Sequence, residues 1–265
     1  MKLPYSQVDA FADRPFAGNP AAVMPLGAWL SDELLQRIAA EHNLSETAFL
    51  IPDDSGEADY ELRWFTPTTE VVLCGHATLA SGHHVLSNDP ARDRVTFRTR
   101  WSGLLEVARA GGEYRMALPV WRPDPKPMEA IIAALGLDSA VETLWNDNDY
   151  GLVIVESEEI VRNLRPDFRA LADMGDVLII VSARGSETDI VSRAFACGAG
   201  IDEDPVTGSA HAVLTPYWAE KLGRERFTAC QASARGGYLT CELAGDRVIL
   251  GGRCVTVAEG NLLLP

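Results

Sequence analysis

Leu73-Cys74-Gly75-His76-Ala77-Thr78-Leu79-Ala80 and Thr207-Gly208-Ser209-Ala210-His211-Ala212-Val213-Leu214 each place a glycine and small residues at the start of an apolar run. In both halves of the chain an Arg-x-Phe strand precedes the glycine, Arg63-Trp64-Phe65 in the first half and Arg193-Ala194-Phe195 in the second. This repeat predicts a duplicated unit. If each glycine opens a helix, the first backbone N–H groups of that helix are unpaired and can bind a small carboxylate.

Length and charge limit the possible functions. A chain of 265 residues is long enough for two domains that each bury a hydrophobic core. The formal net charge of -15 argues against nucleic acid or an anionic membrane surface as partner, because the field of the whole protein would repel both. The expected ligand is a small anionic metabolite, held by local arginines, backbone amides or helix ends.

Cysteine content and hydropathy indicate the compartment. The five cysteines are odd in number and lack C-x-x-C spacing, which is typical of reduced thiols in a cytoplasmic protein. No apolar run is long enough to cross a bilayer, and the first residues contain no signal-peptide core. The sequence therefore predicts a soluble, cytoplasmic protein without a membrane partner.

Proline content predicts where the domains meet. The stretch Pro119–Pro127 contains four prolines, so we place a boundary there, between a first domain at residues 1–118 and a second at residues 119–265. Three consecutive leucines at residues 262–264 suggest that the tail packs against another part of the chain, and it could cross back to the first domain.

Regular elements are predicted in a similar order in both halves. In the second half, Pro216 should kink the helix predicted at residues 209–222, and Gly223 should cap it. The main predicted helices of the first half begin at Asp32 and Ala77. Strands are predicted at residues 5–11, 45–51, 61–65, 94–99, 103–109 and 114–118 in the first half, and near residues 150–155, 177–182 and 189–195 in the second.

Five motifs occur in the order and spacing of a known protein family. Any one of these short strings is weak evidence, but five in the same order are hard to produce by chance. Together they resemble the phenazine-biosynthesis isomerase family, PhzF-like, over nearly the whole chain. The motifs are Val8–Phe11 through Phe16–Pro20, Ser45–Phe49, Phe65–Pro67 through Glu70, Cys74–Thr78 and Glu203–His211.

The resemblance implies both a fold and a chemistry. The fold is α/β (α+β), with two pseudo-symmetric domains of the diaminopimelate-epimerase type, each a sheet rolled around a central helix, and an active site in the cleft between them. The chemistry is that of a cofactor-independent isomerase in which the motif glutamate, Glu46, moves a proton in a small carboxylic acid. The family's histidine, aspartate and serine correspond to His76, Asp204 and Ser209, and a homodimer is expected.

Glu46 is the predicted catalytic acid/base. On the predicted strand it shares a face with Ala48 and Leu50, so it should lose hydration and its pKa should rise toward the operating pH. Judged without its neighbours, Glu46 could equally be an exposed glutamate on an edge strand. The motif around it favours the catalytic role.

His76 and Asp204 are the other predicted catalytic residues. His76 follows Gly75 at a helix N-terminus, where the helix dipole should lower its pKa and keep it neutral for hydrogen bonding to substrate. Asp204 precedes Pro205, which favours an extended backbone. Its carboxylate could hold a polar substituent of the substrate, orient His76, or form an Asx turn.

The substrate carboxylate is expected at the two predicted helix N-termini. Gly75 and Gly208 would offer backbone donors there, and Ser209 would act as a donor, as an N-cap, or as both. Cys74 and Thr207, one residue before each glycine, complete the predicted substrate-binding set.

Cys74 leaves other functions open. In the epimerase relatives a cysteine near this point is one of two opposed bases, but the second position corresponds to Thr207, which argues against amino-acid racemisation. An epimerase that uses Cys74 with Glu46 as the opposing acid remains an alternative. A metabolite-binding protein without turnover is a third possibility.

Two further chemistries are disfavoured. A metal site is not predicted, because Cys74, His76, His83 and His84 show no recognised ligand spacing. A hydrolase with a Cys74–His76 pair is disfavoured because residues two apart at a helix start are not expected to meet as nucleophile and base.

Overall fold

The computed structural model describes residues 1–264 and divides into two units. Unit 1 is Met1–Ala117 together with the chain from Gly251 onward, and unit 2 is Leu118–Leu250. The first division lies one residue before the boundary predicted from the prolines. The residues from 251 onward belong to unit 1, rather than to a second domain that continues to residue 265, because the last strand pairs with the first.

Unit 1 is mainly strands, with one peripheral and one buried helix. One strand, β2, is not among the strands predicted from the sequence. The elements are β1 (Lys2–Ala10), β2 (Asn19–Pro25), α1 (Asp32–His42), β3 (Glu46–Pro52), β4 (Tyr60–Phe65), β5 (Glu70–Val71), α2 (Gly75–Asn88), β6 (Arg94–Thr99), β7 (Leu104–Ala110), β8 (Glu113–Pro119) and, from the end of the chain, β18 (Cys254–Leu263).

Hydrogen bonding orders the strands of unit 1 as β18-β1-β2-β3-β4-β6-β7-β8, with β5 added to β4. Two neighbouring pairs, β2/β3 and β4/β6, are parallel, and the others are antiparallel. Parallel neighbours need a crossover connection. The helix α1 supplies it for the first pair and α2 for the second.

Unit 2 contains elements that the sequence patterns did not predict, chiefly β10 and the short helices α4 and α5. Its elements are β9 (Asp124–Pro125), α3 (Glu129–Ala134), β10 (Glu142–Asn146), β11 (Tyr150–Ile154), α4 (Glu158–Asn163), α5 (Phe168–Ala172), β12 (Leu178–Arg184), β13 (Ile190–Ala196), a 3₁₀ turn (Cys197–Ala199), β14 (Ile201–Asp204), α6 (Gly208–Leu222), β15 (Arg226–Gln231), β16 (Gly237–Ala244) and β17 (Arg247–Gly252).

The strand order of unit 2 repeats that of unit 1. Its strands pair in the order β9-β10-β11-β12-β13-β15-β16, with β14 added to β13. The parallel pairs are β11/β12 and β13/β15, so β10–β16 reproduce the pattern of β1–β7. The helix α6 connects β14 to β15 as α2 connects β5 to β6. The predicted duplication and the mixed α/β fold class are therefore confirmed.

The helices α2 and α6 are the buried helices of their units. Most of their residues are buried, including small and polar ones, as expected for a helix surrounded by protein. Gly82 on α2 shows how tight this packing is, because a Cβ there would lie 2.4 Å from a methyl carbon of Val107. Among residues 1–264 no helix is both long and apolar enough to span a membrane.

The helix α6 continues through its internal proline. Pro216 has no N–H to donate to the carbonyl of Ala212, and the backbone N–H of Trp121 donates to that oxygen instead, at 3.2 Å. Gly223 caps the helix in the left-handed region, with φ of 67°, as predicted. A carbonyl freed by proline thus connects α6 to the segment before β9.

Both buried helices begin at the glycine of their motif, as the repeat indicated. The helix α2 begins at Gly75, two residues before the start that periodicity indicated, and α6 begins at Gly208, one residue before it. The N-cap residues are Cys74 and Thr207, neither of which makes a side-chain capping bond. The prediction that Ser209 caps α6 is therefore wrong. It lies in the first turn, partly exposed, between buried neighbours.

Candidate functional site

Glu46 and His76 form a buried pair in unit 1. Glu46 is the first residue of β3, and His76 is the second residue of α2, whose N-terminal end packs near β2 and β3. Nε2 of His76 lies 2.9 Å from Oε2 of Glu46, and the two side chains are 4% and 12% exposed. The fold therefore brings together two predicted catalytic residues that are 30 positions apart in the sequence.

Asn19 and Cys74 contact the other ring nitrogen of His76. The side-chain nitrogen of Asn19 lies 3.1 Å from Nδ1, and Sγ of Cys74 lies 3.5 Å from it. Asn19 is fully buried at the start of β2. The expectation that Cys74 and His76 do not meet is wrong, because the extended backbone of the N-cap, with φ of -138°, turns the thiol toward the ring.

Asn19 is a site residue that sequence reasoning missed. As a sequence, the Gly18-Asn19-Pro20 string is typical of a turn, which has a role in shape rather than chemistry. In the structure Asn19 is already part of β2, opposite Ala10, and its amide reaches the imidazole of His76. The available signal was the position of Asn19 within a family motif.

The ionisation of His76 differs from the sequence-based expectation. Burial by itself lowers its pKa, but the interaction with Cys74 and, after it, the negative charge of Glu46 together raise it well above the ordinary value. The prediction of a lowered pKa considered the helix dipole and could not include a carboxylate 2.9 Å from the ring. We therefore describe His76 and Glu46 as an ion pair that can share a proton.

The thiol of Cys74 is protonated at neutral pH. Burial, followed by the negative charge of Glu46, raises its pKa to about 11. A helix N-terminus often lowers the pKa of a cysteine, but here desolvation has the larger effect. Cys74 therefore has the properties of a buried thiol rather than those of an activated nucleophile.

The predicted residues of unit 2 form a separate hydrogen-bonded group. The hydroxyl of Thr207 donates to Oδ2 of Asp204 at 2.5 Å, and the backbone N–H of Thr207 donates to Oε1 of Gln231 at 2.8 Å. Nε2 of Gln231 donates to the Asp204 carbonyl at 2.7 Å and to Oγ1 of Thr207 at 3.1 Å. Thr207 therefore uses its hydroxyl both as donor and as acceptor.

This group does not decide between the alternatives for Asp204. Its bond from Thr207 joins two side chains, whereas an Asx turn needs a backbone N–H two residues on as the donor. Gln231 is fully buried at the end of β15. It was not predicted as a site residue, because it lies in none of the sequence motifs. Gly208 and Ser209 occupy the first two helical positions beside this group.

Each unit contains an arginine–glutamate ion pair at the equivalent position. Arg63 binds Glu70 through two bonds of 2.7 Å, with its guanidinium 5.1 Å from the ring of Phe65. Arg193 binds Glu203 through bonds of 2.6 and 2.8 Å. Each glutamate lies four residues before the N-cap of its buried helix. The pairs hold the segments that lead into α2 and α6 by bidentate, charge-assisted bonds.

His211 should make the protein sensitive to acid. It is fully buried on α6, Nδ1 lies 2.8 Å from the Thr207 carbonyl, and burial lowers its pKa to about 4. Because the unfolded chain binds this proton near pH 6.5, the free energy of unfolding should fall as the pH decreases from 6.5 to 4. At about 1.4 kcal/mol per pKa unit, His211 should account for about 3 kcal/mol.

Urea unfolding at pH 7 and pH 4 tests this expectation. The difference in unfolding free energy between the two pH values should be smaller in His211→Gln than in the wild type, whatever the stability of the variant at pH 7. Equal differences in the two proteins would show that His211 does not determine the acid sensitivity.

Known proteins resemble this chain over its full length. A family model described as phenazine biosynthesis-like protein matches residues 8–260. A Pseudomonas aeruginosa protein named uncharacterized isomerase is 50% identical, and the match covers 100% of both chains. The crystal structure of a PhzF-family phenazine biosynthesis protein from Enterococcus faecalis is 42% identical, with a TM-score of 0.92 and 100% coverage of both chains.

A more distant neighbour shares the fold alone. It is a hydroxyproline epimerase from Agrobacterium vitis, 10% identical, with a TM-score of 0.63. The match covers 98% of this chain and 92% of the epimerase. The two proteins therefore share an overall fold at only 10% sequence identity.

Proposed function

This chain belongs to the phenazine biosynthesis-like (PhzF) family, and we propose that it is a cofactor-independent isomerase that moves a proton in a small carboxylate-bearing substrate. Isomerase is also the activity in the name of the relative with 50% identity. One observation carries the proposal: the carboxylate of Glu46 lies 2.9 Å from His76 in a buried site. Such a pair can take up a proton and return it.

Glu46 is the proposed acid/base. Its carboxylate removes a proton from a substrate carbon next to a carboxylate or carbonyl group, and the double bond shifts as that C–H bond breaks. Glu46 then delivers a proton to another carbon, where a new C–H bond forms, so no cofactor is consumed. Because the side chain is 12% exposed rather than fully buried, the proton on Glu46 can exchange with water before it is returned, and in D₂O the new bond then carries deuterium.

His76 and the start of α2 orient the reacting groups in this mechanism. The imidazole holds Oε2 of Glu46 on one side and is itself held by Asn19 on the other. The backbone N–H groups of Gly75 and His76 lie in the first turn of α2, where helical partners are lacking. A substrate carboxylate bound there would gain from the positive end of the helix dipole.

The alternatives based on Cys74 are less well supported. A thiol with a pKa of about 11 is a poor base at neutral pH, and it is equally unsuited as the nucleophile of a hydrolase. Thr207, at the position of the second epimerase base, already uses its hydroxyl in bonds with Asp204 and Gln231. In unit 2, Asp204 remains a proposed catalytic residue, and Thr207, Gly208 and Ser209 remain proposed substrate-binding residues. A homodimer and a cytoplasmic location also remain proposals.

Proton exchange in D₂O tests the proposed reaction. NMR should show deuterium entering one compound of a panel of small unsaturated, amino and hydroxy acids, together with a shifted double bond. Cys74→Ser should retain this exchange. Inversion at a single carbon that is lost in Cys74→Ser would favour an epimerase instead. Tight binding without exchange would favour a metabolite-binding protein.

A further inference from the structure

Gln231 makes three hydrogen bonds to the segment that leads into α6. Its Oε1 accepts the backbone N–H of Thr207 at 2.8 Å, and its Nε2 donates to the Asp204 carbonyl at 2.7 Å and to Oγ1 of Thr207 at 3.1 Å. The side chain is fully buried and lies 24 positions after Thr207 in the sequence. A buried amide that uses its oxygen and both its N–H groups on one segment holds that segment in one conformation.

These bonds fix the orientation of the Gln231 amide. Turning the amide over would place Nε2 against the backbone N–H of Thr207, two donors facing each other, and Oε1 against the Asp204 carbonyl, two acceptors facing each other. Both bonds would then be lost at a fully buried position, where unpaired polar groups are costly. The N–H groups of Gln231 therefore face the Asp204 carbonyl and the Thr207 hydroxyl.

The fixed amide determines the direction of the hydrogen bond from the Thr207 hydroxyl. Nε2 of Gln231 can only donate, so Oγ1 of Thr207 accepts from it, and the hydroxyl proton has to point elsewhere. Oδ2 of Asp204 lies 2.5 Å from the same oxygen and accepts that proton. The three side chains therefore form a one-way chain that runs from Gln231 through Thr207 to the carboxylate of Asp204.

We propose that Gln231 is a positioning residue, which acts through the Thr207 hydroxyl to hold Asp204 as an oriented, ionised hydrogen-bond acceptor for the substrate. This role rests on the proposed function, in which Asp204 is a catalytic residue. Asp204 is partly exposed and Gln231 is fully buried, so a ligand can reach the end of the chain but not its origin. The arrangement suits a substrate that brings a donor, such as a hydroxyl or amino group, to this carboxylate.

Gln231→Met tests this role, because methionine has a similar volume but cannot donate to Thr207. In protein that urea unfolding shows to be folded, the rate of substrate proton exchange should fall about 100-fold, the effect of a small displacement of a positioned group. In a Thr207→Val background, which already lacks the hydroxyl, the same change should have less than about a twofold effect. Losses that multiply in the double variant would mean that Gln231 only supports the local fold, and would overturn the positioning role.

Gln36→Met is the matched control. Gln36 lies on α1 in unit 1, and its Nε2 donates to the Thr66 carbonyl at 2.9 Å. This variant also loses a bond between a glutamine amide and a backbone carbonyl, but none to Asp204 or Thr207. Its exchange rate should equal that of the wild type within about twofold. A loss as large as that of Gln231→Met would show that the effect is not specific to the chain, and would count against the proposal.

Gln231→Glu provides a readout that a purely structural role would not change. A neutral carboxyl group keeps one acceptor and one O–H donor, whereas the ionised group only accepts and would draw the Thr207 hydroxyl proton away from Asp204. Burial raises the pKa of a carboxyl group, so the change should occur roughly between pH 5 and pH 8. The exchange rate of the folded variant, relative to the wild type, should fall as the pH rises through this range. A constant ratio would overturn the proposal.

A measurement without substrate separates this proposal from the proposed function. NMR of threonine-labelled protein should show a slowly exchanging hydroxyl proton that is absent from Thr207→Val. In Gln231→Glu the chemical shift of this proton should change as the pH rises. Absence of such a proton from the wild type would overturn the one-way chain, whatever the activity. If the proton behaves as expected but the wild type exchanges no compound, the chain stands and the isomerase proposal fails.

Discussion

Glu46→Gln should lower the rate of substrate proton exchange by about 10²–10⁴-fold, the usual contribution of a positioned general acid/base. Glutamine preserves the volume and the polar contact beside His76 but removes the basic oxygen. Because the Glu46 side chain is only 12% exposed, a base from solution has little access to the site and should not replace the lost carboxylate. The measurement is deuterium incorporation by NMR under conditions in which the wild type completes many turnovers.

Glu106→Gln provides a control with the same chemical change. Glu106 lies on β7, and its side chain is 48% exposed, with one long contact of 3.9 Å to Arg94. The exchange rate of this variant should equal that of the wild type within about twofold, because surface substitutions of this kind have small effects. Full exchange by a folded Glu46→Gln would exclude Glu46 as the acid/base.

Periodicity and turn residues predicted most of the regular elements. The alternation around Phe49 and the small residues after Gly75 gave β3 and α2 close to their observed bounds, because these patterns reflect which side of an element is buried. The strand β10 and the helices α4 and α5, each of five or six residues, were missed. The duplication was visible from motifs alone.

Side-chain partners from distant segments could not be predicted. The raised pKa of His76 depends on Glu46, and its orientation depends on Asn19, which comes from a third segment of the chain. The partners of Asp204 likewise include Gln231, which lies 27 positions later. The helix dipole acts to lower the pKa of His76, but the contacts with Cys74 and Glu46 raise that pKa by more.

The two units use equivalent positions differently. The N-cap of α2, Cys74, lies beside a carboxylate and an imidazole whose facing atoms lack normal hydrogen bonds. The N-cap of α6, Thr207, donates to Asp204 and accepts from Gln231, so its polar atoms are engaged. The equivalent N-cap positions therefore differ in their hydrogen bonding between the two units.

Gly18→Ala should destabilise the protein by about 3 kcal/mol or more, from left-handed strain of about 1–2 kcal/mol and overpacking of about 1–3 kcal/mol. Gly18 has φ of +65°, and an added Cβ would lie 2.1 Å from the Ala10 carbonyl oxygen and 2.8 Å from the Cβ of Ala12. Ala10 cannot retreat easily, because it is paired on both sides, with Asn19 and with Cys254.

Gly56→Ala isolates the backbone strain from the collision. Gly56 has φ of +79°, and an added Cβ would meet no atom within 4 Å, so this variant should lose only about 1–2 kcal/mol. Urea unfolding of both variants measures the difference, and equal losses would mean that the backbone around Ala10 yields to the new methyl group. Where Gly18→Ala still folds, displacement of Asn19 should also reduce exchange activity, because Asn19 positions the ring of His76 beside Glu46.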